Sequence, residues 1–276
     1  MKKFLFLLFC LAFGTFYFLG MSDSTITKQS SQLSASQTPS TPDPTASTTT
    51  DQTSLRDRVY RIMHFRAVAE GKLDRDQYIP LAQIPQIMQQ SIVATEDKRF
   101  YEHGPIDFIG IGRAALVNIQ SGKTMEGGST ITQQVVKNVF LSPERTLSRK
   151  AEELVLSILL ERNYTKEEIL TMYLNTAYFG ASAYGINDAA RIYFGTTPPK
   201  LTLAQCAMLA GLPQAPTYLN PLANYEAAKA RQQIVLALMT EQNFIGPDQA
   251  KQAYQADLDL TNEKSTTSNR AKSTKR

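Results

Sequence analysis

Cysteine is scarce in this chain, which carries only Cys10 and Cys206 among its 276 residues. Both lie in apolar runs, and neither has the partner or the spacing expected of a disulfide framework or a zinc site. Charge of one sign is scarce as well, because the net charge is only +4. So small an excess gives no reason to expect nucleic-acid binding, although it suits an anionic membrane or substrate. The composition is that of an ordinary globular protein, so the motifs must indicate the function.

Alternating strand patterns are also rare, and the single candidate is a hairpin arm from Val59 to Val68, "VYRIMHFRAV". Helical patterns dominate instead. Apolar residues recur with a period of 3.6 in "IPQIMQQSIVATEDKRFYEH", and Thr165 stands three residues before Glu168 as a capping box in "TKEEILTMYLN". Further helices are predicted in "TLAQCAMLAGLP", in "YEAAKARQQIVLALMTEQN" and in "SPERTLSRKAEELVLSILLERN", where Ser142 is the expected N-cap and Pro143 the first helical residue. The fold is therefore predicted to be mainly α.

The chain begins with two lysines and an apolar run that ends near Met21. Its length is near the lower limit of about 17–25 residues for a spanning helix, and no good cleavage site follows it. We predict that residues 1–21 are a cytoplasmic stub and a single transmembrane helix, with a cleaved signal peptide as the alternative. The lysines then place the rest of the chain on the outer, periplasmic side of the cytoplasmic membrane. Residues 22–54 are predicted to be a Ser/Thr-rich tether, residues 55–262 the folded domain, and residues 263–276 a basic disordered tail.

The stretch "MEGGSTITQQVVKN" is rich in uncharged hydrogen-bonding side chains. Two glycines lead into a helix predicted to start near Ser129, so Ser129, Gln133 and Lys137 share one face and Gln134 flanks it. Hydroxyls and amides suit sugar oxygens, while a lysine near a helix start suits a phosphate. The alternative is a solvated helix face after a glycine-rich turn.

Three charged residues follow at helical spacing, namely Arg145, Arg149 and Glu153. Arg before Glu is the weaker orientation for a salt bridge within a helix, so helix stability alone does not explain this order. Guanidiniums suit phosphate oxygens, and a neighbouring carboxylate suits a divalent cation. An ordinary charged face is the alternative.

The segment "TEDKRFYEH" is predicted to place Glu96, Phe100 and His103 on one helix face, with Asp97 beside Glu96. Two adjacent carboxylates on an otherwise apolar helix raise each other's pKa, which is what a general base near neutral pH requires. The alternatives are an exposed acid near a helix end and a histidine that hydrogen-bonds the core.

The segment "PIDFIGIGRAALVNIQSG" is strongly apolar. Burial in the core is the default expectation. A shallow membrane-contacting surface is the alternative, with Arg113 at its edge meeting a lipid headgroup.

Together these segments resemble the peptidoglycan glycosyltransferases, which occur as monofunctional enzymes and as the polymerising domain of class A penicillin-binding proteins. The resemblance covers roughly Ile79 to Met239. Its motifs appear in family order: "EDKRFYEH", "GGSTITQQVVKN", "RTLSRKAEE", "ILTMYLNTAYFG" and "AARIYFG", with flanking "IPLAQIP" and "LAGLPQAP". Gly104 and Pro105 depart from the family pattern, as do Gln205 and Cys206, where Glu and Ala are common. No Ser-x-x-Lys acylation motif follows, so the monofunctional form is expected.

The resemblance implies a lysozyme-like, two-lobed glycosyltransferase domain that polymerises lipid II into β-1,4 glycan strands with inversion. It implies that Glu96 is the general base and that Glu153 is catalytic and holds a divalent cation, Mg or Mn. The implied substrate-binding residues are Asp97, Arg113, Ser129, Gln133, Gln134, Lys137, Arg145 and Arg149. The implied partners are lipid II, the growing strand, the lipid bilayer, penicillin-binding transpeptidases and other divisome or elongation proteins, but no nucleic acid.

Two other functions remain open at this point. A lytic transglycosylase or lysozyme also uses a catalytic glutamate, but its leaving group does not need the cations Lys137, Arg145 and Arg149. A catalytically silent module that only binds lipid II is the second, and the presence of both Glu96 and Glu153 argues against it.

Overall fold

In the computed structural model, residue 60 and residues 63–73, 78–121, 127–141 and 147–261 are described. They are mainly helical, and these ranges contain no strand apart from an isolated bridge between Tyr178 and Tyr184. The helices are α1 Phe65–Lys72, α2 Gln86–Glu96, α3 Phe108–Ser121, α4 Ile131–Phe140, α5 Leu147–Asn163, α6 Lys166–Thr176, α7 Gly185–Phe194, α8 Leu203–Gly211, α9 Tyr225–Glu241 and α10 Pro247–Gln255. Short 3₁₀ turns lie at Leu81–Gln83, Pro198–Lys200 and Leu212–Gln214.

The chain divides into two compact units. One comprises Met1–Met63 and Glu144–Glu152, and the other comprises His64–Pro143 and Glu153–Arg276. The predicted anchor (1–21), tether (22–54) and tail (263–276) lie outside the described residues, as does Arg145. Among the helices that are described, none is both long and apolar enough to cross a membrane. The two-lobed, lysozyme-like arrangement stays a prediction.

The core of the larger unit forms where α2, α8 and α9 pack together. Helix α2 buries Met88, Ile92 and Val93 at the predicted helical spacing. The Ser91 hydroxyl, which bonds the Ile87 carbonyl at 2.6 Å, also lies 3.2 Å from Met239 Sδ, and this contact joins α2 to α9. Ahead of α2, Ile79 is clamped by Asn175 of α6, whose Oδ1 accepts from the Ile79 N–H at 2.7 Å. These contacts fix the orientation of α2 and therefore the position of its last residue, Glu96.

The predicted helices near Thr165, in "TLAQCAMLAGLP" and in "YEAAKARQQIVLALMTEQN" are confirmed as α6, α8 and α9. The capping box is confirmed too, since Thr165 and Glu168 exchange side-chain and backbone hydrogen bonds. The expected cap residues Ser142 and Pro143 lie outside the described residues.

The strand prediction at Val59–Val68 is wrong where the structure describes that segment. Residues 65–72 form α1, in which Phe65 and Ala69 are both buried. These two residues are four apart, so a helical face covers the core where an alternating strand would not. The Phe65 ring stacks on Phe140 of α4 with centroids 5.2 Å apart. Tertiary packing therefore selects the helix over the strand-like pattern.

The helix α2 ends earlier than the sequence pattern suggested. Asp97 leaves the helix with φ −161° and ψ 76°, and the following residues form turns. Glu96, Phe100 and His103 therefore do not share a helix face, and that prediction is wrong. The break instead directs Asp97 and His103 towards each other, as described below.

Candidate active site

Glu96 is the last residue of α2, and it is half-buried. Its Oε2 accepts a hydrogen bond of 2.7 Å from the Gln134 side-chain amide on α4. Two segments that are far apart in sequence therefore meet at one carboxylate. The bond fixes the orientation of a side chain that would otherwise rotate at a helix end.

The surroundings raise the pKa of Glu96 above its ordinary value of 4.5. Burial is the largest cause, because it disfavours the charged form, and the neighbouring Asp97 charge adds to it. The Gln134 hydrogen bond and the positive charges of Arg231 and Lys137 act in the opposite direction. The net effect is a raised pKa, so Glu96 holds a proton more tightly than an exposed glutamate does.

Two residues near Glu96 were missed by sequence reasoning. The positive charge of Arg231 on α9 favours the charged form of Glu96. Burial raises the pKa of Tyr173, and the charge of Glu96 raises it further. The Tyr173 side chain is fully buried, and its hydroxyl has no hydrogen-bond partner within the part of the chain that the structure describes. No spacing in the sequence relates either residue to Glu96, so only the packing of α6 and α9 could show them.

Asp97 is buried with both carboxylate oxygens engaged. Oδ1 lies 2.7 Å from His103 Nε2, and Oδ2 accepts from the Ile131 N–H at 3.0 Å. Ile131 is the first residue of α4. A carboxylate at a helix start is favoured by the free N–H groups and the helix dipole. The geometry thus favours a role in positioning α4 over direct contact with substrate.

The helix after the two glycines begins at Ile131, with Thr130 as its N-cap, and not at Ser129. Ser129 therefore does not share a helix face with Gln133 and Lys137, which corrects that prediction. Gln133 is buried, and its amide oxygen accepts from the Thr130 N–H at 3.2 Å in a capping box. The predicted row of amides is thus divided, since Gln133 caps the helix and Gln134 reaches Glu96.

For the remaining predicted site residues that are described, the structure gives the helix on which each one lies. Glu153 is buried on α5, in the same unit as Glu96, and Arg149 precedes it by one turn but belongs to the other unit. Lys137 lies on α4 near enough to Glu96 to lower its pKa. Arg113 is half-buried on α3. The roles assigned to these residues stay predictions.

Among the described residues, the side-chain ligand atoms of Asp97, His103 and Asp107 lie close enough together to hold a metal ion. Glu153 is not part of this group. Each of these three side chains is already hydrogen-bonded. Asp107, for example, accepts from Arg99 Nη2 at 3.1 Å and from the Ile109 N–H at 3.1 Å. We therefore interpret this cluster as a hydrogen-bonded network and not as a metal site.

Helix α3 exposes a large apolar surface, against the default expectation of burial. Phe108 is 74% exposed and Ile119 is 79% exposed. The other exposed apolar residues of the helix are Ile109, Ile111 and Leu116. A contiguous apolar face on one helix is unusual for a surface that meets only water. At Gly128 an added Cβ would lie 3.2 Å from the Ile111 side chain, so a glycine there lets the chain before α4 approach α3.

The described residues thus form a mainly helical domain in which a carboxylate of raised pKa is bonded to an amide and lies near cationic groups. The Transglycosylase family model matches residues 64–240, and the chain belongs to this family. It is 50% identical to "Penicillin-binding protein 1A/1B" of Bacillus subtilis (strain 168) over 189 residues, which cover 68% of this chain and 21% of the relative. It is 49% identical to "Penicillin-binding protein 1A" of Escherichia coli (strain K12) over 174 residues, which cover 63% of this chain and 20% of the relative.

Among solved structures, that of Penicillin-Binding Protein 1A from Haemophilus influenzae matches with a TM-score of 0.41 and 23% identity, over 67% of this chain and 18% of that chain. The chain thus spans about a fifth of the length of the curated relatives named above.

Proposed function

We propose that this protein polymerises lipid II into β-1,4-linked peptidoglycan strands and releases undecaprenyl pyrophosphate. Membership of the transglycosylase family supports the reaction class. The observation that carries the proposal is the Glu96 carboxylate, which combines partial access to solvent, a 2.7 Å hydrogen bond from Gln134 and a raised pKa. These are the properties of a general base that works near neutral pH.

In the proposed reaction, Glu96 removes the proton of a sugar 4-hydroxyl as its oxygen attacks the anomeric carbon of a second, lipid-linked sugar. The bond from that carbon to the pyrophosphate breaks, and the pyrophosphate leaves with the electron pair. A single displacement of this kind inverts the anomeric centre, so an α-linked donor gives a β-linked product. Gln134 keeps the carboxylate oriented towards the hydroxyl.

The leaving pyrophosphate develops negative charge and needs cations more than a proton. Lys137 supports this role, because its charge already acts on Glu96. We assign Arg145 and Arg149 to the same pyrophosphate, Ser129 and Gln134 to sugar or phosphate oxygens, and Arg113 to the lipid-linked phosphate.

A divalent cation, Mg or Mn, is proposed at Glu153. The carboxylate is buried on α5, and oxygen ligands suit these ions, which commonly combine one or two protein carboxylates with substrate phosphates. Bound there, the cation would neutralise charge on the pyrophosphate.

The exposed apolar face of α3 is proposed to rest in the outer surface of the cytoplasmic membrane. Lipid II is confined to the bilayer by its prenyl chain, so a domain held at that surface meets it at high effective concentration. The exposure of Phe108 and Ile119 supports this placement, and the predicted anchor at residues 1–21 would hold the domain nearby.

The experiment is incubation of the purified full chain with lipid II and Mg²⁺, followed by analysis of the products. Glycan strands and undecaprenyl pyrophosphate are expected. A parallel incubation with purified peptidoglycan separates the alternatives, because cleavage of that polymer would favour a lytic enzyme. Binding of lipid II without any polymer would contradict the proposal and favour a substrate-presenting module.

A further inference from the structure

His103 lies between two hydrogen-bond acceptors. Its Nδ1 is 2.6 Å from the Gly104 carbonyl oxygen, and its Nε2 is 2.7 Å from Asp97 Oδ1. A carbonyl oxygen can only accept, so Nδ1 must carry a hydrogen. Imidazole is a stronger base than a carboxylate, so the hydrogen between Nε2 and Asp97 belongs to the ring. With this assignment both nitrogens donate, which is the arrangement of an imidazolium.

The side chains of this pair are shielded from water, at 5% exposure for His103 and 4% for Asp97. Burial alone lowers the pKa of a histidine, and the Lys166 charge also lowers it here. The hydrogen bonds to Asp97 and Gly104 and the charge of Asp97 outweigh both effects, so the pKa of His103 is raised above 6.5. The direction agrees with the donor count obtained from the geometry.

Further charged groups face this pair from the neighbouring segments. Asp107 responds to the His103 charge and is itself bound by Arg99. Lys166, at the start of α6, pairs with Glu161 at 2.6 Å and lies over the Phe100 ring. His103 therefore interacts with two acids, Asp97 and Asp107, which favour its charged form, and with one cation, Lys166, which disfavours it.

The pair connects the two segments that carry the proposed chemistry. Asp97 follows Glu96 directly, and its second oxygen holds the Ile131 N–H at the start of α4. Three residues further along α4, Gln134 donates to Glu96. A second hydrogen bond joins the same segments, since the Thr130 hydroxyl donates to the Pro105 carbonyl at 3.1 Å. Movement of Asp97 would therefore change the distance between Glu96 and Gln134.

We propose that His103 is a positioning residue that acts as an imidazolium, holding Asp97 so that α4 presents Gln134 to Glu96, and that its deprotonation sets the alkaline limit of activity. The inference rests on the proposed function for its activity readout only. When His103 loses a proton, Nε2 can no longer donate to Asp97. The carboxylate then keeps its bond to Ile131 but is no longer fixed in direction, so the Glu96–Gln134 pair loosens.

The protonation state of the His103 ring can be measured by NMR without substrate. Assignment of the signals is simple, because the chain has only two histidines. His64 is exposed at the start of α1, so His64→Gln leaves His103 as the sole histidine of an otherwise unchanged protein. Nitrogen NMR of the full-length ¹⁵N-histidine-labelled variant is expected to show both ring nitrogens protonated at pH 7. A neutral ring at pH 7 would overturn the inference whether or not the protein polymerises lipid II.

The second arm compares pH–rate profiles for lipid II polymerisation. Lys166→Gln removes a cation that disfavours the imidazolium, so the His103 titration and the alkaline limit should both move to higher pH. Glu241→Gln, an exposed charge change at the end of α9, is the matched control and should move neither.

Asp97→Asn should move the His103 titration to lower pH and reduce kcat by more than KM changes. An alkaline limit that stays in place while the His103 titration shifts would show that His103 does not position the base. Loss of activity in every variant at every pH, with the NMR result intact, would instead count against the proposed reaction. The two failures are therefore distinguishable.

Discussion

Glu96 lies between opposing influences on its affinity for a proton. Burial raises its pKa, whereas Gln134, Arg231 and Lys137 lower it. A base must be ionised to accept a proton, so activity should fall as the pH drops through the raised pKa of Glu96. If Glu96 is the proposed base, we expect the balance of these influences, and not the identity of the glutamate alone, to fix the acidic limit of activity.

Gln134→Leu should move this acidic limit to higher pH. The variant removes a hydrogen bond to the charged form of Glu96, so the pKa of Glu96 should rise further. The measurement is kcat/KM for lipid II polymerisation as a function of pH. Gln233→Leu, an exposed glutamine on α9, is the control and should leave the limit unchanged. An unshifted limit in Gln134→Leu would show that the hydrogen bond does not govern the base.

Glu153→Gln should weaken the response of the enzyme to divalent cations. The variant keeps the size of the side chain but removes the charged ligand of the proposed metal. Chelation should abolish wild-type activity and added Mg²⁺ should restore it, whereas the variant should need a much higher Mg²⁺ concentration. Full wild-type activity in excess chelator would contradict the proposed cation.

At the residue scale, the sequence supplied the motif residues but not all of their neighbours. Glu96 and Gln134 were predicted from their motifs, and the structure joins them by a hydrogen bond. The contributions of Arg231 and Tyr173 could not be predicted, because they depend on how α6 and α9 pack near Glu96. Asp97 was predicted to bind substrate, yet its oxygens are engaged within the protein.

Among the elements, helix α3 departs most from the default expectation. An apolar helix is normally buried, but Phe108, Ile109 and Ile119 are each more than 60% exposed. Composition could not decide between a core and a membrane surface, because both require the same apolar residues. The packing decides only that this face is exposed, and the membrane placement remains the proposal above.

The membrane placement can be tested with a single introduced tryptophan, since the chain contains none. In the full chain reconstituted in vesicles, the fluorescence of Ile109→Trp should be quenched by lipids brominated on their acyl chains. Ile234→Trp, on the half-exposed position of α9, is the matched control and should not be quenched. Equal quenching, or none at either position, would contradict contact through α3.

The helix boundaries show which local sequence signals are sufficient to predict where a helix starts or ends. Thr165 and Glu168 predicted a helix start that the structure confirms, because a capping box is a local hydrogen-bond pattern. The end of α2 at Glu96 was missed, because Asp97 leaves the helix to bond His103 and Ile131. Ile131 is 34 residues from Asp97, and the His103 bond forms only after the helix has ended, so periodicity alone could not predict the break.

Helix α8 contains a departure from the family pattern that has a structural consequence. Gln205 stands where a glutamate is common, and its amide accepts from the Thr202 N–H at 3.1 Å and donates to the Leu258 carbonyl at 3.0 Å. A glutamate could accept in the same way but could not donate. The glutamine thus ties the start of α8 to the segment after α10.

Gln205→Glu should therefore lower the free energy of unfolding by about 1–3 kcal/mol, since a buried acceptor would face another acceptor. The measurement is urea unfolding at neutral pH. Gln249→Glu, in the exposed first turn of α10, keeps an oxygen that can accept from the Gly246 N–H, so it removes no comparable donor contact and should change stability little. Equal stability of Gln205→Glu and wild type would show that the Leu258 contact contributes nothing.

At the scale of the whole molecule, a single large unit carries the core, Glu96 and Glu153. The mainly α fold was predicted from helical periodicity and is confirmed for the described residues. The arrangement of the helices was not predictable in the same way, because it depends on long-range contacts such as Ser91 with Met239 and Asn175 with Ile79. The chain covers about a fifth of its curated relatives, so its reaction must be measured on this protein itself.

The most direct test of the central claim compares wild type with Glu96→Gln in lipid II polymerisation. Removal of a general base should lower the turnover number by roughly 10²–10⁴-fold while binding of lipid II is retained. Glu241→Gln, an exposed glutamate, is the matched control and should polymerise at the wild-type rate. Undiminished turnover in Glu96→Gln would contradict the assignment of Glu96 as the base on which the proposed mechanism depends.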